Sequence, residues 1–166
     1  MTEYAESQSY TAMQIAEWFI AWSEFESESS GITNLKLQKL LYFAQGHFLA
    51  KFDRPLFSDA IQAWEHGPVV PSVYHAFKSF KAKPIVWDDE VDFEDFDDRT
   101  NTFLASVWHT FGGFDGWKLR EISHKSQPWI AAFSAEIPNS EIKKRDMQLA
   151  FKALYSDQGD EHSAHE

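Results

Sequence analysis

The sequence predicts a mainly α fold, one compact multi-helix domain with a minor β element near 56–66 and a candidate strand at 85–87. Three observations carry that expectation. Apolar residues recur at three- and four-residue spacing in several long segments, the signature of a buried helix face. Strictly alternating residues occur only in short runs bounded by turn formers. The chain has 166 residues, 43% hydrophobic and 16% aromatic, which is enough for one self-sufficient core and too apolar for a disordered chain. No repeat or long linker divides it, so residues 11–155 read as one domain between a frayed tail at 1–10 and an acidic, disordered tail at 156–166.

The elements follow in order. Thr11 and Gln14 form a capping box on a helix that runs to about Glu26, with Ala12, Ile15, Ala16, Phe19 and Ile20 on one stripe and Trp18 and Trp22 widening it. The Ser- and Glu-rich stretch 27–31 is a loop. Thr33 caps a second helix over about 33–52, where Leu37, Leu40, Leu41, Ala44 and Phe48 face inward and Lys36, Gln38 and Lys39 flank the stripe. Gly46 inside it costs roughly 1 kcal/mol relative to alanine, which points to the close approach of a neighbouring backbone. Asp53-Arg54-Pro55 stops this helix, since proline disfavours helical dihedrals in the residue before it.

Leu56-Phe57 and Ile61 to Glu65 are short and alternating, and His66-Gly67-Pro68 terminates them. Pro71 suits the first turn of a third helix with Val70, Val73, Tyr74, Phe77 and Phe80 inward. Eight of the eleven residues from Asp88 to Asp98 are acidic, and Val91, Phe93 and Phe96 interrupt the run so that one side can anchor on the core. A helix over 99–112 buries Phe103, Leu104, Val107, Trp108 and Phe111 and ends at Gly112, Gly113 and Gly116. Leu119 and Ile122 mark a short helix, Pro128-Trp129-Ile130 and Phe133 another, and Pro138-Asn139-Ser140 caps a last one that buries Met147, Ala150, Phe151 and Leu154.

Composition excludes several chemistries. The absence of cysteine removes disulfides, thiolate metal sites and a thiol nucleophile. The opening residues are acidic and polar, and no apolar run approaches the ~18–20 residues of a membrane span, so a cytoplasmic location is expected. A net charge of −11 repels phosphate backbones and favours a basic or neutral protein partner over nucleic acid or a membrane. Gly-x-Ser-x-Gly, phosphate-binding glycine loops, the dinucleotide fingerprint and His-Glu-x-x-His are all missing. No cofactor, metal ion or catalytic residue is therefore expected. His162 and His165 lie in the tail, which supplies no fixed ligand geometry. His66 and His124 each sit in a punctuated turn near a tryptophan, where an imidazole more often holds a backbone carbonyl than moves protons.

The stretch 33–80 is distinctive. Thr-Asn-Leu-Lys-Leu-Gln-Lys-Leu-Leu-Tyr-Phe-Ala-Gln-Gly-His at 33–47, Arg-Pro-Leu-Phe at 54–57 and Ala-Trp-Glu-His-Gly-Pro-Val-Val-Pro-Ser-Val-Tyr at 63–74 closely resemble the Panacea antitoxin domain family, which also has an older name as phage-associated, genetic-element proteins. Leu119 and Ser123-His124-Lys-Ser-Gln-Pro128-Trp129 echo a later block of that family. The resemblance covers roughly residues 11–155, and the acidic run lies outside the family pattern. It implies a mostly helical bacterial or prophage binding protein with no catalytic residues, whose partner is a cognate toxin encoded by an adjacent gene.

Within the motif, Leu37, Leu40, Leu41, Tyr42, Tyr74, His124, Pro128 and Trp129 read as structural, Gly67-Pro68 as a forced turn and Trp64 as a large buried anchor. Lys36, Gln38 and Lys39 are the polar members not needed for packing, so they are candidates for touching the partner or for bracing the His66 turn. His66 itself and the acidic residues Asp88, Asp89, Glu90 and Asp92 complete the candidate partner surface. Three functions remain open. The first is a toxin-neutralising module of a toxin–antitoxin or phage-defence system; the second is an adaptor that delivers its partner to a protease, with the 156–166 tail as a handle; the third is an enzyme built on Glu65, His66 and His124.

Overall fold

The Thr11 hydroxyl accepts from the Gln14 backbone at 3.1 Å while the Gln14 side chain accepts from the Thr11 backbone at 2.9 Å, closing the capping box that starts α1 (Ala12–Glu24). The Thr33 hydroxyl caps α2 (Asn34–Phe52) by accepting from the Lys36 backbone, and Asp97 and Asp115 cap α4 (Asp98–Phe111) and α5 (Gly116–Ser123). Between them, α3 (Pro71–Phe77) starts with proline in its first turn, as does α6 (Gln127–Ala132), and α7 (Lys144–Ser163) closes the chain. This computed structural model describes residues 9–26 and 31–163, with side chains as far as Ser156. Among the described residues no helix is long and apolar enough to cross a membrane.

Helix α2 is the pillar of the fold. It packs against α1, α3, α4, α5, α7 and the sheet, so it is buried on nearly every side. Leu37, Leu40, Leu41 and Ala44 are fully enclosed, and Phe48 meets the edge of Phe103 at 5.2 Å between centroids. Such enclosure also takes Asn34, Lys36, Gln38, Lys39 and Gln45 out of water, and each must then find a hydrogen-bond partner inside the protein. Gln45 does so by donating to the Phe57 carbonyl at 2.7 Å and accepting from the Leu56 backbone at 2.8 Å, which fixes the chain after Pro55.

The sheet is small and antiparallel, in the order β2-β1-β3. Strands β1 (Ile61–Trp64) and β2 (Gly67–Val69) form a hairpin with Glu65 and His66 at its tip, since Trp64 pairs with Gly67. Strand β3 (Ser140–Ile142) joins the other edge, pairing Ala63 with Ser140.

The mainly α class holds, and several details differ from expectation. Gly67-Pro68 begins a returning strand instead of ending the β element, and Phe57 makes only an isolated bridge to Tyr10. Residues 85–87 form no strand, although the Ile85 backbone donates to the Ile32 carbonyl at 2.8 Å. Ser140 pairs in β3 where a helix cap was expected, and Leu154 is exposed where burial was expected. Gly46 faces the ring of Phe151 and not a neighbouring backbone; any β-carbon there would overlap that ring. Tyr10, assigned to the frayed tail, is buried, stacks on Phe96 at 5.1 Å and donates to Asp97 at 2.8 Å. The rest of that tail through residue 8, and the loop residues 27–30, lie outside the described residues. Of the 156–166 segment, α7 continues to Ser163; the side chain of His162 and residues 164–166, His165 included, lie outside what is described.

Candidate functional site

Motif residues from the 33–47, 63–74 and 123–129 blocks converge on one β-hairpin. From α2, Lys39 Nζ donates to the Pro68 carbonyl at 3.0 Å, and the side-chain Oε1 of Gln38 accepts from the Val70 backbone at 2.9 Å. Gln38 in turn donates to Asn34 at 2.8 Å, and Asn34 donates to the Tyr74 carbonyl at 3.1 Å. From the 123–129 block, Trp129 Nε1 donates to the Trp64 carbonyl at 2.9 Å and His124 Nε2 donates to the Glu65 carbonyl at 3.0 Å. The His124 ring stacks on Trp129 at 4.2 Å, and Tyr42 shares a 2.6 Å hydrogen bond with Ser126, which ties that block back to α2. Buried Pro128 sits in the first turn of α6 and helps to aim Trp129.

Burial changes the role assigned to the polar residues of α2. Lys36 is 6% exposed, Gln38 1% and Lys39 0%, so none presents a side chain to a partner in this structure. A helix surrounded on all sides has no solvent flank, and these three became internal braces. Lys36 donates to the Gly112 carbonyl at 2.6 Å and lies 5.0 Å from the centre of the Trp108 ring. Burial, reinforced by the positive charge of Arg120, pushes the Lys39 amine down to about 7. Gly67, at φ +108°, lies against it: a β-carbon there would be 2.6 Å from Lys39 Cε and 2.7 Å from Ser123 Oγ.

The hairpin forms one wall of an open cleft of about 820 Å³. Lys39 and Gln38 lie at its base, and Trp64, Tyr74, Trp117 and Phe133 give it aromatic sides. Trp64 is half-buried, a cleft wall where a fully buried anchor was expected, and its ring meets the edge of Tyr74 at 4.9 Å. Trp117 is 64% exposed and was not singled out by the sequence, because a tryptophan off the apolar stripe of a short helix carries no periodic signal. Lys78, Lys81 and Arg120 were missed for the same reason.

Residues Glu65, His66 and His124 do meet around the hairpin tip, but through the backbone. His124 bonds the carbonyl of Glu65, and His66 Nδ1 accepts from Arg120 Nε at 3.1 Å. Among the described residues no hydrogen bond or ion pair links the Glu65 carboxylate to either imidazole, and no group of three His, Asp or Glu is placed to hold a metal ion. Burial, and next the charge of Arg120, lower the pKa of His124.

The acidic run lies apart from this convergence. Asp88, Asp89 and Glu90 are exposed, and Asp92 caps the short 3-10 turn Phe93–Asp95 by accepting from the Glu94 backbone at 2.9 Å. Phe93 anchors the run edge-on to Trp18 and Trp22, 5.7 Å from each.

Residues 37–130 match the family described as "Antitoxin SocA-like, Panacea domain". The chain belongs to that family. Antitoxin SocA of Caulobacter vibrioides (strain NA1000 / CB15N) is 51% identical to it over 55 residues, which are 33% of this chain and 29% of that relative. The similarity thus spans under a third of the relative's length. No solved structure matches the chain. The Panacea match takes in the side chains that bond the backbone at and beside the hairpin, Gln38, Lys39, His124 and Trp129, while Asn34 before it and strand β3 and the cleft residues Phe133, Pro138 and Asn139 after it fall outside.

Proposed function

We propose that this Panacea-domain chain is an antitoxin-type binding module that neutralises a cognate toxin by direct protein–protein contact, without catalysis of its own. One observation carries the reading: the polar motif residues are bonded to the chain's own backbone, which holds an open, aromatic-walled cleft, and among the described residues no hydrogen bond joins a hydroxyl of its lining to an imidazole or a carboxylate. Membership of the antitoxin SocA-like family and the name of the relative support it. An aromatic cleft suits tight protein contact, where a few desolvated anchors carry most of the affinity. The exposed acids Asp88, Asp89 and Glu90 with Asp92 add a field that speeds the approach of a basic partner.

Co-expression with the product of a neighbouring toxic reading frame tests this. The expected result is restored growth together with a stoichiometric complex on gel filtration. Rescue without a complex, or a toxin that disappears only in protease-competent cells, assigns neutralisation to delivery instead of direct binding.

A further inference from the structure

The cleft differs in charge from the rest of the protein. The chain carries −11 overall, yet Lys78, Lys81 and His66 line the cleft against the single carboxylate of Glu65. One turn places both lysines, because the Lys81 backbone donates to the Lys78 carbonyl at 3.1 Å. Both side chains are exposed, and among the described residues the ion pairs are Lys118 with Glu121 and Lys152 with Asp53, so neither rim lysine is neutralised. Lys81 at φ +54° and Asn139 at φ +64°, both in the cleft lining, hold positive-φ backbone, a conformation that costs a non-glycine residue free energy and persists where the surroundings hold it.

We infer that the cleft takes a short extended segment of the protein partner that combines aromatic or aliphatic side chains with a carboxylate, the carboxylate pairing with Lys78 and Lys81 and the apolar side chains lying against Trp64, Tyr74, Trp117 and Phe133. The inference rests on the direct-contact reading above and adds to it the chemistry of the segment that is held. Charge complementarity selects an acidic segment; a basic one would bring its charge against two unpaired lysines. Aromatic faces at the walls reward ring and aliphatic packing, and the rim lysines fix which end of the segment lies where. The two surfaces then divide the work, with the acidic run steering a basic partner from a distance and the cleft holding one acidic, apolar segment of it.

Panning a random heptapeptide library on the immobilised full-length chain tests the cleft without a known partner. The wild-type chain is expected to enrich peptides that join aromatic residues to Asp or Glu, and the K78E/K81E variant to enrich Lys or Arg in their place. A synthetic copy of the most enriched acidic peptide should bind K78E/K81E at least about tenfold more weakly than wild type, and should also weaken on Trp117→Ala. Enrichment without acidic bias, equal binding to the charge-reversed chain, or indifference to Trp117 overturns the inference. The toxin complex separates the two readings. A toxin retained equally by wild type and K78E/K81E removes the cleft and leaves direct neutralisation standing, whereas a toxin that never binds the wild-type chain removes direct neutralisation whatever the peptides show.

Discussion

Lys39 and Gly67 are locked together: the lysine's Nζ bonds the Pro68 carbonyl at 3.0 Å, and its Cε occupies the space that any side chain at position 67 would need. A fully enclosed lysine therefore sets the path of the hairpin that walls the cleft, and the first two predictions follow from the pair.

Burial places the Lys39 amine at about 7, below the 10.5 of the unfolded chain. Between those values the unfolded state binds more protons, so this group's contribution to stability rises with pH across that window and is constant below it. Lys39→Met removes the titration. The stability of wild type relative to K39M should climb between pH 7 and pH 10, by an amount on the order of a few kcal/mol. Urea denaturation of both proteins across that range reads it, and parallel pH profiles would show that Lys39 is protonated normally in the fold.

Gly67→Ala should cost about 1–3 kcal/mol or more, since alanine pays for φ +108° and also meets Lys39 and Ser123. In the double variant with Lys39→Ala the Lys39 share of the steric cost should fall away, while the backbone part and the contact with Ser123 remain. A double-mutant cycle by denaturation checks this, and strict additivity would place the whole cost in the backbone and the Ser123 contact.

Trp129→Phe keeps a ring against His124 but removes the donor to the Trp64 carbonyl. The expected loss is about 1 kcal/mol, with a larger effect on exchange of the hairpin amides than on those of α2. Hydrogen exchange followed by mass spectrometry measures it; uniform loosening would mean that Trp129 stabilises the whole domain and not the hairpin.

Leu41 is fully enclosed on α2, so Leu41→Asp should leave the chain unfolded, because an unpaired buried carboxylate costs several kcal/mol. Far-ultraviolet circular dichroism decides, and a folded, soluble variant would contradict the inward placement of that face.

Neutralising Asp88, Asp89, Glu90 and Asp92 to Asn and Gln should slow association with a basic toxin and leave dissociation nearly unchanged, since asparagine at 92 can still accept from the Glu94 backbone. Stopped-flow binding at rising salt gives the companion readout, because the Debye length is ~8 Å at physiological ionic strength. An on-rate that ignores both the substitutions and the salt would leave the run as a solvated loop.

The sequence by itself determined the long helices and, at α1 and α2, their caps and inward stripes, because these depend on residues three or four apart: the Thr11–Gln14 box, the Thr33 cap and the Leu37, Leu40 and Leu41 stripe are local chemistry, whereas the last helix starts at Lys144 and not at Ser140, and its Leu154 faces solvent. Family membership was legible too, carried by the blocks around Lys39, Trp64 and Trp129. Only the tertiary structure decided what surrounds α2. With neighbours on every side, Lys36, Gln38 and Lys39 changed from a polar flank into internal donors and acceptors, a change that no helical period records. Strand β3 was illegible for a related reason, since three residues at a sheet edge are strand only because β1, far away in sequence, pairs with them. The cleft belongs to the same category: Tyr74, Lys81, Trp117 and Phe133 come from four separate segments, and the distances that join them exist only once hydrophobic burial has closed the chain around α2.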